Sequence, residues 1–187
     1  AEVKVCIGRK NVKTVTGDDG RWRVSFAPLK ASAKPVRFVV TGDGGRVELS
    51  DVLVGEVWLA SGQSNMEYSM ANNSNIRKPL RGDPDRLLHE YEKADNPLIR
   101  LLYVRKDLRK DTLPTTGWQR LNRESLKPFS AAAYFFAKAL QDSLNVPVGV
   151  ISSSWGGTSV ETWTPAEQYH ESPVFADKMD GDKLSTN

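Results

Sequence analysis

Gly62-Gln63-Ser64-Asn65-Met66 places a serine just after a nearly continuous apolar run, Val52–Ala60. A serine on the turn from a buried strand to a helix has an exposed hydroxyl. Its backbone N–H sits at a helix N-terminus, where it can stabilise an anion. That suits a nucleophile for acyl transfer, but serines at such places also commonly cap the helix, and the spacing leaves both roles open. The elbow of α/β-hydrolases is a different pattern, because it needs glycine where this chain has Met66. A second segment, Ser152-Ser153-Ser154-Trp155-Gly156-Gly157-Thr158, follows another apolar run. Two glycines let the backbone turn sharply and point N–H groups into a crevice. Such a loop serves as an oxyanion hole, as a phosphate cradle, or as an ordinary connection. A P-loop does not fit, since no Lys-Ser/Thr pair follows the glycines. The two segments gain meaning together, because acyl transfer needs a nucleophile and an oxyanion donor about 3 Å from one reacting group.

The elements that must position these residues are legible in the periodicity. Val3, Val5 and Ile7, then Trp22, Val24 and Phe26, then Val36, Phe38 and Val40 alternate with polar residues. The turns Gly17-Asp18-Asp19-Gly20 and Gly42-Asp43-Gly44-Gly45 separate them, and Arg46–Leu49 follows. Short alternating runs of this kind predict antiparallel strands with one wet face. From Val52 the pattern becomes continuous: Val52–Ala60, Leu98–Val104 and Val148–Ser152 read as strands buried on both faces. Between the last two lies a helix over Ala131–Leu144, capped by Ser130, with an apolar stripe of Ala132, Phe135, Phe136, Ala139 and Leu140. Asn145 and Pro147 stop it. Asp83-Pro84 starts a second helix that carries Leu87, Leu88 and Tyr91. Buried strands alternating with helices predict a parallel sheet, whose ligand crevice lies beyond the carboxyl ends of its strands. Ser64 and the glycine pair both fall at such ends. The domain division predicted is 1–52, a partial β-sandwich-like domain, and 53–187, an α/β domain.

Composition excludes other classes. The 187 residues are 39% hydrophobic and 26% charged, with five tryptophans, which is wrong for a disordered chain. A net charge of +3 over that length is too thin for a nucleic-acid partner. The single cysteine, Cys6, excludes an internal disulfide framework and a multi-cysteine zinc site, and two histidines, His89 and His170, make a poor metal cage. No apolar run approaches the roughly 18 residues of a membrane span.

Val54–Glu67, reading VGEVWLASGQSNME, closely resembles the nucleophile block of the sialate O-acetylesterases, a branch of the SGNH hydrolases. Pro147–Thr158, followed by Glu161 and Trp163, is similar to their second block. The resemblance implies a flavodoxin-like, three-layer α/β fold with a parallel sheet, preceded by a small antiparallel β-domain. It implies that Ser64 is the nucleophile and that its N–H is one oxyanion donor. Gly156 or Gly157 supplies a second donor, and the motif does not choose between them. Gln63, Asn65, Trp155 and Thr158 are the substrate-contact positions it suggests. The implied substrate is an O-acetylated sialic acid or related sugar, cleaved through an acetyl-enzyme without a cofactor or metal. The implied compartment is extracellular, periplasmic or lysosomal.

The family's Asp-x-x-His block, which carries the base, has no match in the sequence. His170 follows Glu167-Gln168-Tyr169 too soon after Gly157 to take that place, and His89 reads as helix surface. The expectation is therefore an incomplete SGNH domain whose partner is the remainder of the same enzyme. Arg105, Lys106, Arg109 and Lys110, interleaved with Asp107 and Asp111, read as solvated surface rather than as an anionic-sugar contact. Trp118, Trp155 and Trp163 can stack on a sugar, though core packing is the commoner fate of tryptophan. The rival class is a non-catalytic carbohydrate-binding or scaffold fragment.

Overall fold

The computed structural model describes residues 1–71, 85–107, 113–165 and 167–168. The first four strands form one antiparallel sheet: β1 (Glu2–Ile7), β2 (Lys10–Val15), β3 (Ser32–Gly42) and β4 (Gly45–Val54), in the order β2-β1-β3-β4. Gly42 pairs with Gly45 across a two-residue turn, so Asp43-Gly44 closes the β3–β4 hairpin as the glycine cluster predicts. The strand predicted around Trp22, Val24 and Phe26 does not form. Those residues run without strand pairing between β2 and β3, and Trp22 is exposed. Alternation alone makes no strand, and these residues pair with neither outer edge of the sheet, β2 or β4. β2, with a single valine on each face among lysines, Asn11 and Thr14, lacks an alternating pattern and forms by hairpin pairing with β1.

Val52–Ala60 is not one strand. It divides at Gly55, with β4 ending in the first sheet and β5 (Glu56–Gly62) opening the second. A Cβ at Gly55 would overlap the Pro147 backbone carbonyl, which accepts the Glu56 N–H at 2.9 Å, so the chain crosses between sheets where only glycine fits. Beyond β5 come α1 (Ser64–Glu67), α2 (Arg86–Glu92), β6 (Asp95–Tyr103), β7 (Gln119–Asn122), α3 (Arg123–Leu126), α4 (Ala131–Leu144) and β8 (Val148–Ser154). The second sheet has the order β5-β8-β6-β7; β5, β8 and β6 are parallel, and β7 joins antiparallel, which makes the sheet mixed rather than wholly parallel. α2 has Asp85 at its N-cap position, while Asp83 and Pro84 lie outside the described residues.

The core lies between the α-helices and one face of this sheet. Ile99 and Leu101 of β6 pair with Val148 and Val150 of β8, all four buried, and Leu121, Leu126 and Phe129 close the cluster. Each such side chain contributes about 1.5–3 kcal/mol by leaving water. α4 begins at Ser130, whose Oγ accepts the Ala133 N–H at 3.2 Å, and ends at Asn145 with φ +52, as predicted. Its buried face differs from the predicted stripe: Ala131, Ala133, Tyr134, Ala137 and Gln141 face the sheet, whereas Ala132, Phe136 and Ala139 are exposed. The helical period is right and the phase is wrong. Small residues at 133 and 137 bring the helix close to the sheet, and Phe136 instead packs edge-on against Trp58, centroids 5.2 Å apart.

β5 carries the composition of a strand buried on both faces, yet it stands at the sheet edge, with Val57 63% and Leu59 66% exposed on the face away from α4. Trp118 lies across that face over Gly149 and is itself half exposed, not core. At the amino-terminal ends of the strands, Arg100 pairs with Asp51 of β4 at 2.8 Å and ties the two sheets together.

α2 and α4 meet through Glu90, which accepts bonds from Lys138 Nζ at 2.6 Å and the Tyr134 hydroxyl at 3.0 Å. The Lys138 bond, aided by Tyr134, holds the Glu90 carboxyl below the usual glutamate range despite partial burial. Burial and the Glu90 contact raise Tyr134. A depressed carboxylate contributes stability above its unfolded pKa and loses it as pH falls through the folded value. Glu90→Gln should therefore lower stability by about 1 kcal/mol near neutrality. In urea titrations monitored by circular dichroism, that difference should vanish as pH drops below the ordinary glutamate value of 4.5. An undiminished difference in acid would mean that the carboxylate charge is not what joins the helices.

Candidate active site

β5 and β8 remain in register to their last residues, Gly62 opposite Ser154, and the Trp155 N–H then donates to the Gly62 carbonyl at 2.9 Å. The Ser64 turn and the Gly156-Gly157 loop therefore leave the sheet side by side, at the carboxyl edge of its parallel strands. Gly62, at φ +140, makes the turn, and α1 starts at once.

Ser64 is exposed, and it does not cap α1. The cap is Gln63, whose side-chain oxygen accepts the Ser64 N–H at 3.3 Å and the Ser64 hydroxyl at 3.1 Å. The hydroxyl is thus free of a structural role in the helix. Met66, the residue that breaks the α/β-hydrolase pattern, packs against the core and contacts the Ser130 hydroxyl at 3.5 Å, which anchors the turn to the start of α4. Asn65 is exposed beside Ser64.

The glycine loop packs directly on this turn. A Cβ at Gly156 would lie 3.5 Å from Ser64 Cα and 3.6 Å from its Cβ. The Gly156 N–H is engaged by the Glu67 carboxylate, whose other oxygen pairs with Lys106. Gly157 has φ +82 and open space where a Cβ would sit. Thr158 donates its hydroxyl to the Trp155 carbonyl at 2.6 Å and accepts Trp163 Nε1–H at 2.8 Å, which braces the loop. Trp155 is half-buried and Trp163 is 37% exposed, so neither is swallowed by the core.

The structure brings Gln63, Ser64, Asn65, Trp155, Gly156, Gly157 and Thr158 to one edge. His89 it places elsewhere: exposed on α2, just before β6 begins, at the amino-terminal edge of the sheet. A strand the length of β8 separates the two edges, roughly 20 Å. His170, Arg109, Lys110 and Asp111 lie outside the described residues. Two site residues escape sequence reasoning. Lys106 reads as solvated surface, whereas its ammonium lies 5.5 Å from the Trp155 ring centroid besides pairing with Glu67. Glu67 stood in the motif, and the available signal was its position three residues after Ser64, on the same side of a helical turn.

Fold and site together define an α/β protein that presents an uncapping serine and a glycine loop at the carboxyl edge of parallel strands. A sequence model of the family described as "Carbohydrate esterase, sialic acid-specific acetylesterase" matches residues 54–181, and the chain belongs to that family. It is 29% identical over 175 residues to the sialate O-acetylesterase of Mus musculus, covering 87% of this chain and 31% of that protein. Against the sialate O-acetylesterase of Homo sapiens it is 28% identical over 164 residues, covering 83% of this chain and 30% of the other. A crystal structure of a carbohydrate acetylesterase from Xanthomonas citri superposes with a TM-score of 0.77 at 32% identity, covering 89% of this chain and 36% of that one. The chain thus spans about a third of the length of the relatives it matches.

The two glycines should respond differently to substitution. Alanine at Gly156 brings its Cβ to 2.5 Å from the Glu67 carboxylate, so its cost runs through that side chain. Alanine at Gly157 meets no atom and costs only the left-handed backbone, about 1 kcal/mol. In double-mutant cycles with Glu67→Ala, read from urea midpoints, Gly156→Ala should couple by about 1 kcal/mol and Gly157→Ala should be additive. Additivity at both positions would show that the Gly156–Glu67 contact contributes nothing.

Proposed function

We propose that this chain carries the nucleophile and oxyanion hole of a serine esterase that removes O-acetyl groups from sialic acid or related sugars. The observation that carries the reading is the exposed, uncapping Ser64 hydroxyl packed against a glycine loop in a chain of the acetylesterase family. Ser64 Oγ attacks the acetyl carbonyl carbon while a base takes its proton. The carbonyl oxygen becomes an oxyanion, met by the Ser64 N–H and by an N–H of the Gly156-Gly157 pair. Collapse expels the sugar oxygen, which regains the proton, and leaves acetyl-Ser64. Water then releases acetate and restores the hydroxyl. Gln63 gives up its bonds to both the Ser64 hydroxyl and the Ser64 N–H as the reaction begins, which frees the N–H for the oxyanion, and Asn65, Trp155 and Thr158 border the sugar. The base lies outside the described residues, and by the family pattern it is a histidine oriented by an aspartate. The compartment, by the same pattern, is extracellular, periplasmic or lysosomal.

Without a base beside it, serine is a weak nucleophile, and loss of a triad member leaves only about 10³–10⁴-fold catalysis over water. The 187 residues alone should accordingly show no turnover of p-nitrophenyl acetate above background. The protein expressed from its full reading frame should release acetate from O-acetylated sialic acid, and Ser64→Ala should abolish that release by several powers of ten. Retention of more than a few per cent of activity in a folded Ser64→Ala protein would remove Ser64 as nucleophile. Saturable sugar binding with no acetate release would favour a carbohydrate-binding role instead.

A further inference from the structure

Two ionisable side chains at this edge, Glu67 and Lys106, have no part in the proposed reaction. Glu67 is the last residue of α1, one turn beyond Ser64. One carboxylate oxygen accepts the Gly156 N–H and the other pairs with Lys106 Nζ. Lys106 comes from the segment after β6, and its ammonium faces the ring of Trp155 in the loop after β8. Three strand ends therefore converge on one carboxylate: those of β5 through α1, of β6 through Lys106, and of β8 through Gly156. Both charged side chains are only about a third exposed, 30% and 32%, and a charge-assisted bond so shielded outweighs a neutral one.

A carboxylate here has three conceivable roles. As the base for Ser64 it is badly placed, because the Ser64 hydroxyl donates to Gln63 and both Glu67 oxygens are occupied. As a plug it would deny the Gly156 N–H to an acyl oxygen and slow the reaction. As a brace it would hold the loop while another N–H does the work. The neighbouring Gly157 N–H forms no hydrogen bond among the described residues, and Gly157 faces open space.

We propose that Glu67, held by Lys106, is a positioning residue that anchors Gly156 so that the Gly157 N–H is presented as the loop's oxyanion donor. This rests on the esterase reading above. A brace acts on the rate of the chemical step, since a misplacement of about 1 Å at a reacting group costs about 100-fold. Glu67→Gln keeps an oxygen for the Gly156 N–H and loses the charge that Lys106 holds; Glu67→Ala loses both.

The test has two arms. In the full-length protein, Glu67→Ala should lower kcat for acetate release about 100-fold with KM changed less than about threefold, and Glu67→Gln should recover part of it. Lys106→Met should fall between wild type and Glu67→Ala. In the same protein labelled with ¹⁵N-glycine, the Gly156 amide resonance should move in Glu67→Gln, a variant that keeps the side chain's shape, and move further than the Gly157 resonance does. Unchanged kcat in Glu67→Ala overturns the proposal, as does a rise in kcat, which would make the carboxylate a plug. A Gly156 amide resonance left unmoved by Glu67→Gln removes the contact on which the proposal stands. A wild-type protein that neither releases acetate nor is phosphonylated at Ser64 by a fluorophosphonate sinks the esterase reading, and the positioning role with it, whatever the amide shows.

Discussion

Parallel pairing of β5 with β8, carried without a slip from Glu56–Val148 to Gly62–Ser154, is the constraint on which the site depends. Parallel neighbours run in one direction, so both chains leave the sheet at the same edge. A slip of one residue would turn every side chain to the opposite face and separate the two exits. The Trp155–Gly62 hydrogen bond extends the ladder one step beyond the strands, and Gly156 then comes to rest on Ser64. At the other end of the same pair, Gly55 allows β5 to start beneath the Pro147 carbonyl. The amino-terminal end of the pair is thus pinned by a glycine, where backbones approach too closely for a side chain.

The helices serve this arrangement from one side. α4 presses Ala133 and Ala137 against β8 and β6, and its capping serine contacts Met66, so the start of the longest helix and the Ser64 turn are parts of one packed unit. Gln63 caps α1, a task that would otherwise fall to the serine itself. Substituting one polar residue for another at the cap leaves the Ser64 hydroxyl with a partner that can exchange, not one buried in helix structure. Charge enters at the strand ends, where Glu67 and Lys106 join loops that the sheet ladder no longer holds. There the pairing is partly shielded from water and screened less than a surface pair.

The face of the sheet away from α4 has a different character. Val57 and Leu59 of β5 are exposed there, and Trp118 covers only the part over Gly149. Their composition is that of strands covered on both sides, and the relatives matched by this chain are about three times its length. Sequence pattern therefore describes an environment that the described residues do not by themselves build.

The sequence by itself determined the strand-end motifs, the antiparallel first sheet with its Asp43-Gly44 turn, the three parallel strands and the limits of α4. These are local matters: turn chemistry, capping and the period of apolar residues act over a few neighbours in the chain. What the tertiary structure decided was everything that depends on who stands beside whom. Residues around Trp22 alternate like a strand and form none, because alternation does not itself supply a pairing partner. α4 has the right period but buries Ala133 and Ala137 rather than Phe136, because the closest approach to the sheet goes to the smallest side chains. Lys106 looks like solvated surface until β6 delivers it to Glu67, and Glu67 looks like a helix charge until Gly156 arrives from the far end of the chain. Partners distant in sequence leave no local periodicity, so only the folded sheet could reveal them.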